Sequence, residues 1–130
     1  MIALAPSDEL PRTDPAAVLD PACLDALAEE LDSRPTALMF AARFLEMLPE
    51  RIENITAALE GDSCEDARVT VLSLAASAAM TGTRQLEQDA REMDGSLKAG
   101  RMEPARAALR RLQLDAMSAA AALRDLLAAQ

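Results

Sequence analysis

The chain has 130 residues, with 22 Asp and Glu against 13 Lys and Arg, a net charge of −9 and no histidine. Its length suits one domain with a sizeable core, and 29 Ala and 20 Leu against 3 Val, 3 Ile and 2 Phe favour helix and exclude an all-β fold. The missing histidine removes Ser-His-Asp and Cys-His catalysis, imidazole acid–base chemistry and every His-containing metal site. The acidic balance argues against nucleic acid and anionic membrane as partners.

Residues 1–18 carry Pro6, Pro11 and Pro15 among Ser, Asp and Arg, a spacing that blocks a helix, and are expected to form a flexible tail. This segment has no basic stretch followed by an apolar run, so it does not read as a signal peptide, and no part of the chain is apolar for the length of a membrane span. A cytoplasmic protein is expected. Cys23 and Cys64 are far apart in sequence, outside any CxxC pattern, and are expected as free thiols.

The folded part is expected over 19–130. A short first helix fits Asp20 to Leu31, with Asp20 as N-cap, Pro21 at the first helical position and Leu24, Leu27 and Leu31 on one stripe. The second fits Pro35 to Glu60, ending at Gly61. Leu38, Ala42, Leu45, Leu48, Ile52, Ile55 and Leu59 keep helical spacing across Pro49, which should bend the element, and Phe40, Phe44 and Met47 form a second stripe. The third fits Ser63 to Thr81, opening with a Ser63–Asp66 variant of the capping box and pointing Ala67, Val71, Leu74 and Ala78 inward. The fourth fits Thr83 to Ala99, with Leu86, Ala90, Met93 and Leu97 inward. The fifth fits Glu103 to Ala128, with Leu109, Leu112, Ala116, Ala119, Leu123 and Leu127 inward. Short connections make consecutive helices antiparallel neighbours. The expected fold is an all-α, antiparallel up-down four-helix bundle with a short additional N-terminal helix.

Several segments of this pattern resemble the histidine phosphotransfer (HPt) domain of phosphorelays. LDPACLDALAEEL at 19–31 is similar to that family's first helix, and FLEMLPERIENITAALEGD at 44–62 to its Phe…Leu-Pro…Leu second helix. VLSLAASAAMTG at 71–82 falls where the family carries Ala-His-x-Leu-Lys-Gly-x-Ala followed by Gly four residues on. Leu74, Ala78 and Gly82 match it. LEQDAREMD at 86–94 stands as the next helix. Leu72 occupies the position of the phosphoryl-accepting His, Ala75 that of the Lys and Ala76 that of the Gly.

The resemblance therefore implies the fold without its chemistry. In the family an imidazole nitrogen attacks a phospho-aspartate of a receiver domain. Leucine offers no lone pair, and no other histidine exists to replace it. Thr70, Ser73 and Ser77 lie close by, but hydroxyls are weak nucleophiles without an adjacent base. No catalytic residue, cofactor or metal is expected, and the protein is not read as an enzyme. Leu72, Ala75, Ala76 and Ala79 are expected to form an apolar strip, with Met39 and Arg43 beside it on the second helix. That strip is expected to bind a response-regulator receiver domain or similar signalling partner, as an adaptor or competitor. The alternative is a self-association module in which the strip meets its own copy as a homodimer. Asp89, Glu92 and Asp94 are expected on a solvated face. Arg106, Arg110 and Arg111 are expected as intramolecular ion-pair partners, and Arg84 near the former active face.

Overall fold

Three of the helices begin by the same device, a short polar side chain that accepts one of the otherwise unpaired first-turn N–H groups. Asp20 Oδ1 accepts from Ala22 N at 3.0 Å, Ser33 Oγ from Thr36 N at 3.1 Å and Ser63 Oγ from Asp66 N at 3.1 Å. The computed structural model describes residues 15–130, with side chains described from residue 17 onward. In chain order the helices are α1 (Pro15–Val18), α2 (Pro21–Leu31), α3 (Arg34–Glu60), α4 (Cys64–Thr81), α5 (Arg84–Lys98), α6 (Met102–Ala107) and α7 (Leu109–Ala128). There is no strand among the described residues.

The four long helices close a ring. α3 packs on α4, α4 on α5, α5 on α7 and α7 back on α3, while α2 lies against α3 and α4. This is the expected antiparallel bundle. Its core is mostly leucine and alanine: Leu24, Leu48, Leu59, Leu74, Leu86, Leu97, Leu112 and Leu123 are buried, with Ala41, Ala67, Ala78, Ala90 and Ala119 between them. Small side chains let the helix axes approach, and the leucines fill the remaining space.

Four details differ from the sequence reading. Pro15 opens a helical turn instead of blocking one, since a proline at the first position gives up an N–H that has no partner anyway. That turn, α1, packs on α5 and α7, and Leu19 after it packs against the core. The expectation of a flexible tail otherwise falls on residues 1–14, outside the described residues. In the first half of α3 the inward residues are Ala37, Ala41 and Phe44, one step around the helix from Leu38, Ala42 and Leu45. α2 lies across this half, and the small alanines admit its Leu24 and Leu27. Leu45 and Ile52 stay half-buried in an open groove facing α7. Leu31, the last residue of α2, is exposed. The final helix is divided at Ala108, whose N–H is shared between the Pro104 and Ala105 carbonyls in a tightened, 3₁₀-like turn.

Candidate functional site

The turn that ends α4 fixes how this helix is presented. Gly82 has φ +85°, in the left-handed region that side chains disfavour, and a Cβ there would lie 2.4 Å from the Asp20 carbonyl oxygen. The close approach exists because Asp20 N donates to Gly82 O at 2.9 Å, tying the start of α2 to the end of α4. Gly82 N and Thr83 N both return to Ala78 O, at 3.0 and 3.1 Å, closing the helix end. The hydroxyls of Thr81 and Thr83, both fully buried, meet at 3.1 Å. Arg84 Nη1 reaches Asp20 Oδ2 at 2.9 Å. Arg84 therefore reinforces this end of the bundle. It stands more than ten residues, about 15 Å along the axis, from Leu72 rather than beside it.

α4 is held between α3 and α5, which settles its two faces. On one flank Arg51 Nη1 of α3 donates to Ser73 Oγ at 2.5 Å. On the other, Arg68 Nε donates to Asp94 Oδ1 of α5 at 2.8 Å. Val71, Leu74, Ala75 and Ala78 point inward and are fully buried. Leu72, where the resemblance puts the histidine, faces outward and is 38% exposed.

The expected strip is only partly assembled. Leu72 and Ala76 are exposed and Ala79 is half-buried, but Ala75 is 0% exposed and cannot touch a partner. α2, α3 and α5 all pack on α4, so its buried arc is wider than a single stripe and takes in position 75. The apolar strip that does reach solvent is Val69, Leu72, Ala76 and Met80, with Val69 68% exposed. Sequence reading missed Val69 and Met80. The signal was their spacing from Leu72, one and two turns away on the outer side. Met39 and Arg43 are exposed as expected, yet they lie twelve and eight residues before Arg51. That is about 18 and 12 Å along α3, towards the Met80 end.

Of the neighbouring hydroxyls, Thr70 Oγ1 donates to Ala67 O at 2.7 Å, Ser73 Oγ accepts from Arg51, and Ser77 is half-buried. Asp89 is buried on α5, and Asp94 is paired with Arg68, so these two do not sit on a solvated face. Glu92 does. Arg106 caps the end of α3 by donating to Leu59 O at 2.6 Å and Gly61 O at 3.1 Å, and it pairs with Glu103 at 2.7 Å. Arg110 and Arg111 are exposed. Cys23 and Cys64 are free. Cys23 is packed beside Gly82 at one end of α4 and Cys64 begins the other end, about 27 Å away, far beyond disulfide reach. Burial, with Asp20 close by, raises the Cys23 thiol above its ordinary pKa. No three His, Cys, Asp or Glu side chains gather as a metal site among the described residues, and no described helix is long and apolar enough to cross a membrane.

Against known proteins, the profile of the Hpt domain family matches residues 39–129. Among solved structures, the chain is similar to the HPT domain from the Hpt sensor hybrid histidine kinase from Shewanella. The TM-score is 0.74 at 19% identity, covering 90% of this chain and 98% of that one. No curated protein matches. Hpt domains carry phosphoryl groups in phosphorelay signalling and interact with response-regulator receiver domains. With the bundle, the α4–α5 turn and the family profile in agreement, this chain belongs to the Hpt domain family.

Proposed function

We propose that this protein is a pseudo-phosphotransfer member of its family. On this reading it docks a response-regulator receiver domain or a similar partner through the outer face of α4 and transfers nothing, acting by occupancy as an adaptor or competitor. One observation supports this reading: Leu72, which the resemblance puts in place of the phosphoryl acceptor, is presented to solvent in a chain without histidine. The loss removes the nucleophile but improves the contact, because burying a leucine side chain stabilises an interface by about 2 kcal/mol. The protein works in the cytoplasm on this reading, where receiver domains and free thiols are both at home.

The test is affinity measurement of purified receiver domains against wild type and Leu72→Asp. Binding by wild type and its loss in Leu72→Asp, with the helical circular dichroism unchanged, is the expected result. A receiver bound equally by both proteins would overturn it. Incubation with a phosphorylated receiver should leave no phosphate on this chain. Light scattering addresses self-association: a dimer that forms without partner and breaks on Leu72→Asp would assign the strip to a second copy instead.

A further inference from the structure

We infer that the partner surface is acidic and that Arg51 is the residue that reads it. The inference rests on the docking reading above and specifies the chemistry of its other half. It starts from how charge is distributed. The protein carries 22 acidic residues, yet none occurs between Asp66 and Glu87, a stretch that includes nearly all of α4 and the turn after it. The edge of α3 beside α4 follows the same rule. Phe40, Arg43, Met47, Arg51, Asn54 and Ala58 recur at helical spacing without a carboxylate among them, while Glu46, which lines a shallow depression with Phe40 and Arg43, and Glu50 one turn on border this edge on its solvent side. Along α4 and around Arg51 this face is thus poor in carboxylates, in a protein whose net charge is −9. Glu65 and Asp66 close it only at the first turn of α4.

Arg51 stands at the middle of that face. Its Nη1 is held by Ser73, the residue next to Leu72, and it makes no salt bridge among the described residues. Arg34, Arg68, Arg84, Arg91 and Arg106 are each paired with a carboxylate, whereas what singles Arg51 out is that its guanidinium is held on α4 by a neutral hydroxyl next to Leu72. Arg51 Nε is buried, but a guanidinium fixed by a neutral hydroxyl has no carboxylate on its terminal nitrogens, which leaves Nη donors for an incoming anion. The Ser73 bond also reduces the side-chain entropy lost when that anion arrives. An apolar strip with a fixed cation at its side complements a partner with carboxylates beside an apolar patch. The occupant that fits is the aspartate-bearing side of a receiver domain.

Binding of purified receiver domains is measured for wild type, Arg51→Gln, Arg51→Lys and Ser73→Ala at low and high salt. The expected results are about a tenfold loss of affinity for Arg51→Gln, recovery of most of it in Arg51→Lys, and a salt dependence that is steep in wild type and shallow in Arg51→Gln. Ser73→Ala should bind within about threefold of wild type, since its guanidinium remains. Equal affinity and equal salt dependence for wild type and Arg51→Gln, with Leu72→Asp still abolishing binding, would overturn the inference and leave the docking reading intact. Equal losses in Ser73→Ala and Arg51→Gln, with matching drops in melting temperature, would make Arg51 structural and also overturn it. If no receiver binds wild type, both readings fall together.

Discussion

The two faces of α4 share eighteen residues of backbone and have different relations to the family pattern. On the inner side Leu74, Ala78 and, just past the helix, Gly82 stand as the pattern requires, and each has a packing reason visible in the structure. On the outer side Leu72, where the resemblance puts the histidine, is exposed and is not held by the core. Ala75, where the resemblance puts the lysine, is fully buried. Packing retains what it can feel. On the function proposed above, the nucleophile contributed nothing to packing, so its loss leaves the fold untouched.

This contrast can be tested by how much each position tolerates. Gly82→Ala should have the largest effect, about 3 kcal/mol or more in urea denaturation, because a left-handed backbone and an overlap with the Asp20 carbonyl add together. Leu74→Ala should follow, at about 2–4 kcal/mol for a fully buried leucine, while Leu72→Ala two residues earlier should stay within about 0.5 kcal/mol. If Leu72→Ala costs as much as Leu74→Ala, the two faces are not distinct. Gly95→Ala should stabilise by about 0.5–1 kcal/mol, since an added Cβ meets nothing within 4 Å on an exposed helical position. The smallest effect is in the thiols. With its pKa raised, Cys23 should be alkylated more slowly in the folded protein than after unfolding in urea, and the gap should narrow as pH rises through the alkaline range. The same sign applies to stability: a thiol pKa higher folded than unfolded favours the fold below the unfolded value, and that contribution is lost as pH rises through the folded one.

Much of the fold was legible because its signals are local. Asp20 and Ser63 start helices through their own side chains, and Leu86, Ala90, Met93 and Leu97 follow one unbroken stripe on α5. The first half of α3 was less legible, since Leu38, Ala42 and Leu45 make as good a stripe as Ala37, Ala41 and Phe44. Hydrophobicity alone favours the leucines. The candidate site was half legible. Leu72 and Ala76 could be placed outside from their spacing, but Ala75 looks equally free until the packing of α2 and α5 is known. Arg51 gave no signal in sequence, because twenty-two residues separate it from Ser73.

Taken alone, the sequence determined that the chain is helical, where most helices begin, and that no imidazole is present to accept a phosphoryl group. These follow from residue type and from interactions reaching no further than one helical turn. Only the tertiary structure decided which residues of α4 meet solvent, that Gly82 must be glycine because α2 presses its backbone against it, and that Arg51 stands beside Leu72. Each of these depends on where a second helix lies, and that position is set by the summed packing of the whole core rather than by any local pattern.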